Sequence, residues 1–249
     1  MTLNLYEVII LGGDMEILAH RGASGTAPEN TIAAFKKALV DGCDGFEFDV
    51  QQTKDGKIVV FHDWTLERTS NGQGHLRDYT LEELKKLDAG NWFNEKFKGE
   101  QIPTLEETLD IIPDDKLINI ELKEEYSVER ETENKVLEII KKYPNKNIIV
   151  SSFSHNLLKN LKDLDSSIKV GILLESALVN LDKYIENLGF NIDAYHPSKS
   201  FLNQEDINYL KSKNIDINVW TVNSPKDAKI LKSMGVTRVI TNFPKEIKE

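Results

Sequence analysis

Two histidines, three carboxylates and two cations stand at spacings that a folded core does not require. Arg21 follows His20 at the end of EILAH, and Glu47 and Asp49 lie two apart in GFEFDV. His62 ends the run IVVFH, and Glu121 and Lys123 lie two apart in INIELK. Imidazole titrates nearest to neutral pH, so His20 and His62 are the natural pair for taking a proton from one oxygen and giving one to another. Glu47 and Asp49 share a face if their run is a strand; a proton or a bridging cation relieves their repulsion, and Glu121 offers a third oxygen ligand. An all-oxygen acidic set without clustered Cys or His suits a hard cation, Mg²⁺ or Ca²⁺, better than zinc. Arg21, a planar fork, and Lys123, a compact charge, then point to an anionic, phosphoryl-type group. Taken singly, each residue reads more plainly as a solvated or structural side chain. The chemistry rests on the combination.

Bringing these residues together requires strands that end on one rim. From Glu16 onward, short apolar or β-branched runs alternate with amphipathic helical patterns. The predicted strands are 16–20, 45–50, 116–123, 147–153, 169–174, 193–196, 217–221 and 238–242. Helical patterns include NTIAAFKKALVD, VERETENKVLEIIKKY, NLLKNLKDL, NQEDINYLKSK and SPKDAKILKSMG, the last closing on a glycine suited to a helix C-terminus. Eight βα repeats, with the last helix in doubt, predict a (β/α)8 TIM barrel of the α/β class, and the polar residues named above fall at the C-terminal strand ends where such barrels build sites.

One segment departs from the repeat. QQTKDGKIVVFHD carries a Lys-Asp-Gly turn between apolar runs, which predicts a hairpin that folds His62 back towards Glu47 and Asp49. Residues from about 64 to 103 then read as a small inserted subdomain after the second strand, with a helix at TLEELKKL capped by Thr80, placed to cover the barrel mouth. His75 and His196 read as structural, and His155 as a helix-start residue.

With 40% apolar and 29% charged residues over 249 positions, the chain has material for one sizeable domain, assigned to 15–249. Residues 1–14 precede Met15 and the first strand and read as an N-terminal extension that need not be native. A net charge of −10 argues against nucleic acid or an anionic membrane surface as partner. No basic leader or bilayer-length apolar run stands out, and Cys43 is alone, so a reducing cytoplasm is favoured, with no stable membrane insertion. Oligomeric state is not encoded in any motif.

The ordered set AHRGASGTAPENT, GFEFDVQQTKDGKIVVFHDWTLERTSNGQG, TLEELKKLDAGNWF, IPTLEE, ELK, SSF and VWTVN closely resembles the glycerophosphodiester phosphodiesterase family over most of residues 16–244. The resemblance implies a (β/α)8 barrel with an insertion and hydrolysis of a small-molecule glycerophosphodiester to sn-glycerol 3-phosphate and an alcohol. It matches His20 and His62 to the catalytic histidines, Glu47, Asp49 and Glu121 to the metal carboxylates, and Arg21 and Lys123 to phosphate contacts. It also matches Phe153 and Trp220 to pocket aromatics, although both equally suit a core. The ending GVTRVITNFP differs from the family's usual GVDGIITDxP at Arg238 and Asn242, which opens the role of the last strand end. Rival readings are a phosphodiesterase acting on lysophospholipids or phosphoinositides and a non-catalytic barrel that binds phosphodiesters. Loss of a histidine or carboxylate would favour the latter, and none is lost.

Overall fold

A computed structural model describes residues 14–123 and 131–249. In chain order the elements are β1 (Glu16–His20), α1 (Ile32–Val40), β2 (Gly45–Gln52), β3 (Ile58–Val60), α2 (Leu81–Leu84), α3 (Leu105–Ile111), β4 (Leu117–Leu122), α4 (Thr132–Ile140) and β5 (Asn147–Ser152). They continue with α5 (His155–Leu164), β6 (Lys169–Leu174), α6 (Leu181–Glu186), β7 (Ala194–Pro197), α7 (Gln204–Ser212), β8 (Asp216–Val219), α8 (Pro225–Met234), β9 (Arg238–Thr241) and α9 (Pro244–Lys248). Strands run β1-β9-β8-β7-β6-β5-β4-β2, and a β1–β2 pairing closes the ring. All of these pairings are parallel, so the fold is the closed (β/α)8 barrel that the alternating pattern predicts. The last strand, too, is followed by a helix, α9.

Strand alternation sorts the side chains. Phe46, Phe48 and Val50 point outward into the helix layer, where Phe35 of α1 meets Phe46 and Phe48 edge-on at 6.0 and 5.5 Å between centroids. Glu47 and Asp49 therefore point inward. The register sets His20 level with Glu47 and Asp49 level with Glu121. Helix ends follow their sequence signals: Thr31 caps α1, and Ser224, Pro225 and left-handed Gly235 (φ 89°) bracket α8.

β3 pairs antiparallel with β2, with Val50 opposite Val60, so the hairpin forms as predicted. Beyond it, Phe61, Leu66, Leu76, Leu84, Ala89 and Ile102 bury themselves with Val59 in an apolar cluster separate from the main core. Thr80 and Glu83 form a reciprocal capping box, but α2 is shorter than TLEELKKL suggests. After Leu84 the amides of Lys86 and Leu87 bond only three residues back, to Glu83 O and Leu84 O, and Asp88 then accepts the amides of Gly90, Asn91 and Gly99 in the turn that follows. The helical pattern from 128 begins in α4 only at Thr132; 128–130 and the extension 1–13 lie outside the described residues. No helix among the described residues is long and apolar enough to cross a membrane.

His196 is buried inside the barrel over Gly171, where a Cβ would come within 2.4 Å of its Nε2. Asn218 Nδ2 donates to that Nε2 at 3.0 Å, and Nδ1 has no partner. Burial, helped by the Arg238 charge, pushes the imidazole down from 6.5 to about 3. Between those values the unfolded chain binds a proton that the folded chain refuses, so this group's contribution to stability falls as pH falls through the window. The urea-unfolding free energies of wild type and His196→Gln are expected to approach each other between pH 7.5 and pH 5. A constant gap would contradict this.

Candidate active site

The barrel mouth holds a cavity of about 320 Å³ lined by His20, Arg21, Glu47, His62, Asn119, Glu121, Lys123, Phe153, Leu173, Glu175, Trp220, Thr221 and Ile240. Eight of the nine site residues expected from sequence therefore line one space. The ninth, Asp49, lies just beneath, 1% exposed, and Glu47, Asp49 and Glu121 each offer an oxygen within 4.8 Å of the others. Residues 64–103 contribute nothing to the lining; Trp64 approaches from the side, its ring 5.9 Å from Lys123 Nζ.

The β1–α1 turn aims the first group. Arg21 takes a left-handed conformation (φ 54°), and its amide donates to Glu47 O at 2.7 Å. Gly22 follows at φ 80°, where a Cβ would stand 2.7 Å from Ala34 backbone, so only glycine lets α1 pack this close. Arg21 Nη1 donates to Glu29 Oε1 at 2.8 Å, and its Nε sits 3.4 Å from Asp49 Oδ2. On β4's end, Lys123 Nζ is 3.2 Å from Glu121 Oε1 and 3.9 Å from Asp49 Oδ1.

Both histidines are held from behind. His20 Nδ1 lies 2.5 Å from Asn242 Oδ1, and its Nε2 is 3.8 Å from Glu47 Oε2. His62 Nδ1 lies 2.6 Å from Asp63 Oδ1, and its Nε2 is 4.0 Å from Asp49 Oδ1. Oxygen acceptors at Nδ1 place the proton there and leave the Nε2 lone pair facing the carboxylates. Burial, then the Arg21 charge, pushes His20 down to about 4, so its contact with Glu47 is not an ion pair near neutral pH. His62 is lowered as well, by burial, against the opposing pull of Asp49 and Asp63.

The carboxylates are electrostatically unequal. Burial, then Asp49 and Glu121, drives Glu47 well above the carboxylate range. Burial and Asp49 push Glu121 up to about 7. Burial alone would raise Asp49 too, yet Arg21, His62 and Lys123 hold it low, with Asn30 Nδ2 donating to Oδ2 at 3.0 Å. Asp49 Oδ1 is buried without a hydrogen-bond partner. Such an orphaned oxygen between two strained carboxylates fits a hard cation, which would supply the missing positive charge.

A match to the glycerophosphoryl diester phosphodiesterase family model spans residues 20–246. The chain belongs to that family. It is 42% identical over 235 residues to a glycerophosphodiester phosphodiesterase of Caldanaerobacter subterraneus subsp. tengcongensis, covering 93% of this chain and 95% of that one. A glycerophosphodiester phosphodiesterase of Bacillus subtilis is 36% identical over 245 residues, covering 91% and 83%. A solved Oleispira antarctica phosphodiesterase in complex with its product sn-glycerol-3-phosphate superposes with a TM-score of 0.88 at 32% identity, covering 94% and 95%.

Within this family member, the last strand end divides into two roles. Arg238 opens β9 at the opposite end of the barrel, bonded to Glu16 at 2.5 Å and Asp216 at 2.6 Å, so it is remote from the site. Asn242 follows β9 and meets His20. Ser152, also at a strand end, turns away: its hydroxyl donates to Leu122 O at 2.8 Å and accepts the amide of Ser154, the residue that caps α5. His155 bonds Tyr184 and Leu173 O, His75 is exposed, and burial pushes the Cys43 thiol up to about 12, leaving it inert. Sequence reading did not single out Glu29, Asp63 or Arg68, whose polar contacts only the folded loops create.

Proposed function

We propose that this chain is a metal-dependent phosphodiesterase that hydrolyses glycerophosphodiesters to sn-glycerol 3-phosphate and an alcohol. The observation that carries this is the pair of imidazole Nε2 atoms facing a buried carboxylate cluster, with Arg21 and Lys123 beside it. Glu47, Asp49 and Glu121 would hold Mg²⁺ or Ca²⁺, which when bound neutralises charge gathering on the phosphoryl oxygens. Arg21, steadied by Glu29, grips the phosphate with its remaining donors, and Lys123 adds a compact charge. His20, neutral near pH 7 and backed by an amide, takes the proton from the attacking hydroxyl or water through Nε2. His62, flanked by Asp49 and Asp63, which favour its imidazolium, delivers a proton from Nε2 in that doubly protonated form to the departing alkoxide as the phosphorus–oxygen bond breaks, and is left as the neutral ring with Nδ1–H on Asp63. Phe153 and Trp220, edge-to-face at 5.7 Å, form the apolar wall for the alcohol side. Residues of about 64–103 form an inserted unit with an apolar cluster of their own, and the lone buried Cys43 suits a reducing cytoplasm.

An enzyme-coupled assay for sn-glycerol 3-phosphate tests this reading with glycerophosphocholine, glycerophosphoethanolamine and glycerophosphoglycerol, beside a choline-release assay with lysophosphatidylcholine, whose cleavage leaves lysophosphatidic acid. Release from one or more of the soluble diesters is expected. Turnover confined to the lysolipid would replace the substrate class, and no turnover at all would contradict the catalytic reading.

A further inference from the structure

Behind the reacting groups runs a chain of charges whose middle member, Arg68, has no part in the proposed chemistry. Arg68 spends all three guanidinium nitrogens on two carboxylates. Nη1 and Nη2 donate to Glu29 Oε2 and Oε1 at 2.8 and 2.7 Å, while Nε and Nη2 donate to Asp63 Oδ2 and Oδ1 at 2.5 and 2.9 Å. Each carboxylate then passes to a cavity residue through the oxygen it shares with Nη2. Glu29 Oε1 also accepts Arg21 Nη1 at 2.8 Å, and Asp63 Oδ1 also bonds His62 Nδ1 at 2.6 Å. Neither Glu29, Asp63 nor Arg68 lines the cavity, so the series Arg21, Glu29, Arg68, Asp63, His62 passes outside it.

Exposed ion pairs usually contribute little, and Arg68 is 47% exposed. Two features set this one apart. Its fork grips a carboxylate on each side, the geometry in which Arg is strong and Lys is not a substitute. Its root is also fixed: Leu66 is fully buried, and Ser70 donates back to Leu66 O through both its amide and its hydroxyl, at 3.1 and 2.7 Å. The side chain is therefore thrown from an anchored turn onto Glu29, 39 residues earlier in the chain. Without it, two like-charged carboxylates would face each other, and Asp63 would be free to swing from His62.

We propose that Arg68 is a positioning residue that straps Glu29 to Asp63 and thereby ties the orientation of His62 to that of Arg21. Asp63, held ionised by Arg68 and His62 against its partial burial (its pKa falls to about 2), is an acceptor only, so His62 must carry its proton on Nδ1 and present Nε2 to the cavity. The catalytic consequence rests on the reading of His62 as proton donor. The tautomer does not.

The test uses the full chain with Arg68→Met and Arg68→Lys, measuring kcat, KM and the imidazole ¹⁵N resonances, with His62 assigned by His62→Gln. In wild type His62 is expected as the Nδ1–H tautomer. In Arg68→Met its two nitrogens are expected to move towards averaged values, and kcat to fall by about 10- to 100-fold with a smaller change in KM. Arg68→Lys keeps the charge without the fork, so it is expected to fold like wild type and recover only part of kcat. If the Met variant does not fold, the Lys variant decides on the same readouts. A kcat within twofold of wild type, or a lowered kcat with the His62 nitrogens unmoved, overturns the strap. If wild type turns over no diester, the proposed function fails while the ¹⁵N result still judges the strap.

Discussion

Replacing His20 or His62 by alanine is expected to lower kcat on a glycerophosphodiester by about 10²- to 10⁴-fold, equivalent to roughly 3 to 5 kcal/mol of barrier. The two side chains reach the cavity from different elements, His20 at the end of β1 and His62 just beyond β3, and each points Nε2 at the carboxylates with Nδ1 engaged behind. Neither is part of the oxygen cluster, so metal affinity measured by calorimetry is expected to stay near wild type in both variants. That separation identifies lost proton transfer rather than a lost cation. Near wild-type turnover in both variants would remove the acid–base pair from the account.

The second large effect concerns Asp49. It stands at the centre of the site's charges, near Arg21, His62 and Lys123, with one oxygen held by Asn30 and the other buried and unpartnered. Asp49→Asn keeps the shape and removes the charge, leaving only Glu47 and Glu121 as anionic oxygen ligands, and burial still pushes both towards the neutral form. Loss of cation binding removes several kcal/mol of transition-state stabilisation, so activity is expected to fall on the order of 10²- to 10³-fold. Chelation of wild type is expected to produce a comparable loss, reversed by Mg²⁺ or Ca²⁺. Added cation is also expected to raise the wild-type melting temperature, because a ligand that binds only the folded state stabilises it, and to leave Asp49→Asn unchanged. An equal melting shift in the variant would contradict the assignment of Asp49.

Much of the site was legible because strand periodicity and βα alternation are local signals. Phe46, Phe48 and Val50 alternate with Glu47 and Asp49, and the structure turns the first set into the helix layer and the second inward, at and just beneath the mouth. The Lys-Asp-Gly turn likewise foretold the hairpin that brings His62 back. What escaped is what loops decide. Glu29 sits in the PENT stretch before α1 and Arg68 in the loop beyond β3, yet they meet across 39 positions. Asn242 lies 222 residues from His20, a pairing that only barrel closure creates. Arg238, one strand length away from Asn242, faces the opposite end because β9 runs between them. α2 is shorter than its sequence pattern for a similar reason: the chain tightens after Leu84 and enters a turn built on Asp88, which accepts the amides of Gly90 and Gly99 and which periodicity does not describe.

The most direct test is ³¹P NMR of glycerophosphocholine incubated with wild type, with and without chelator, and with the His20→Ala, His62→Ala double variant. The diester resonance is expected to convert to that of sn-glycerol 3-phosphate only for the metal-loaded wild type. Conversion that persists in the chelated enzyme or in the double variant would contradict it.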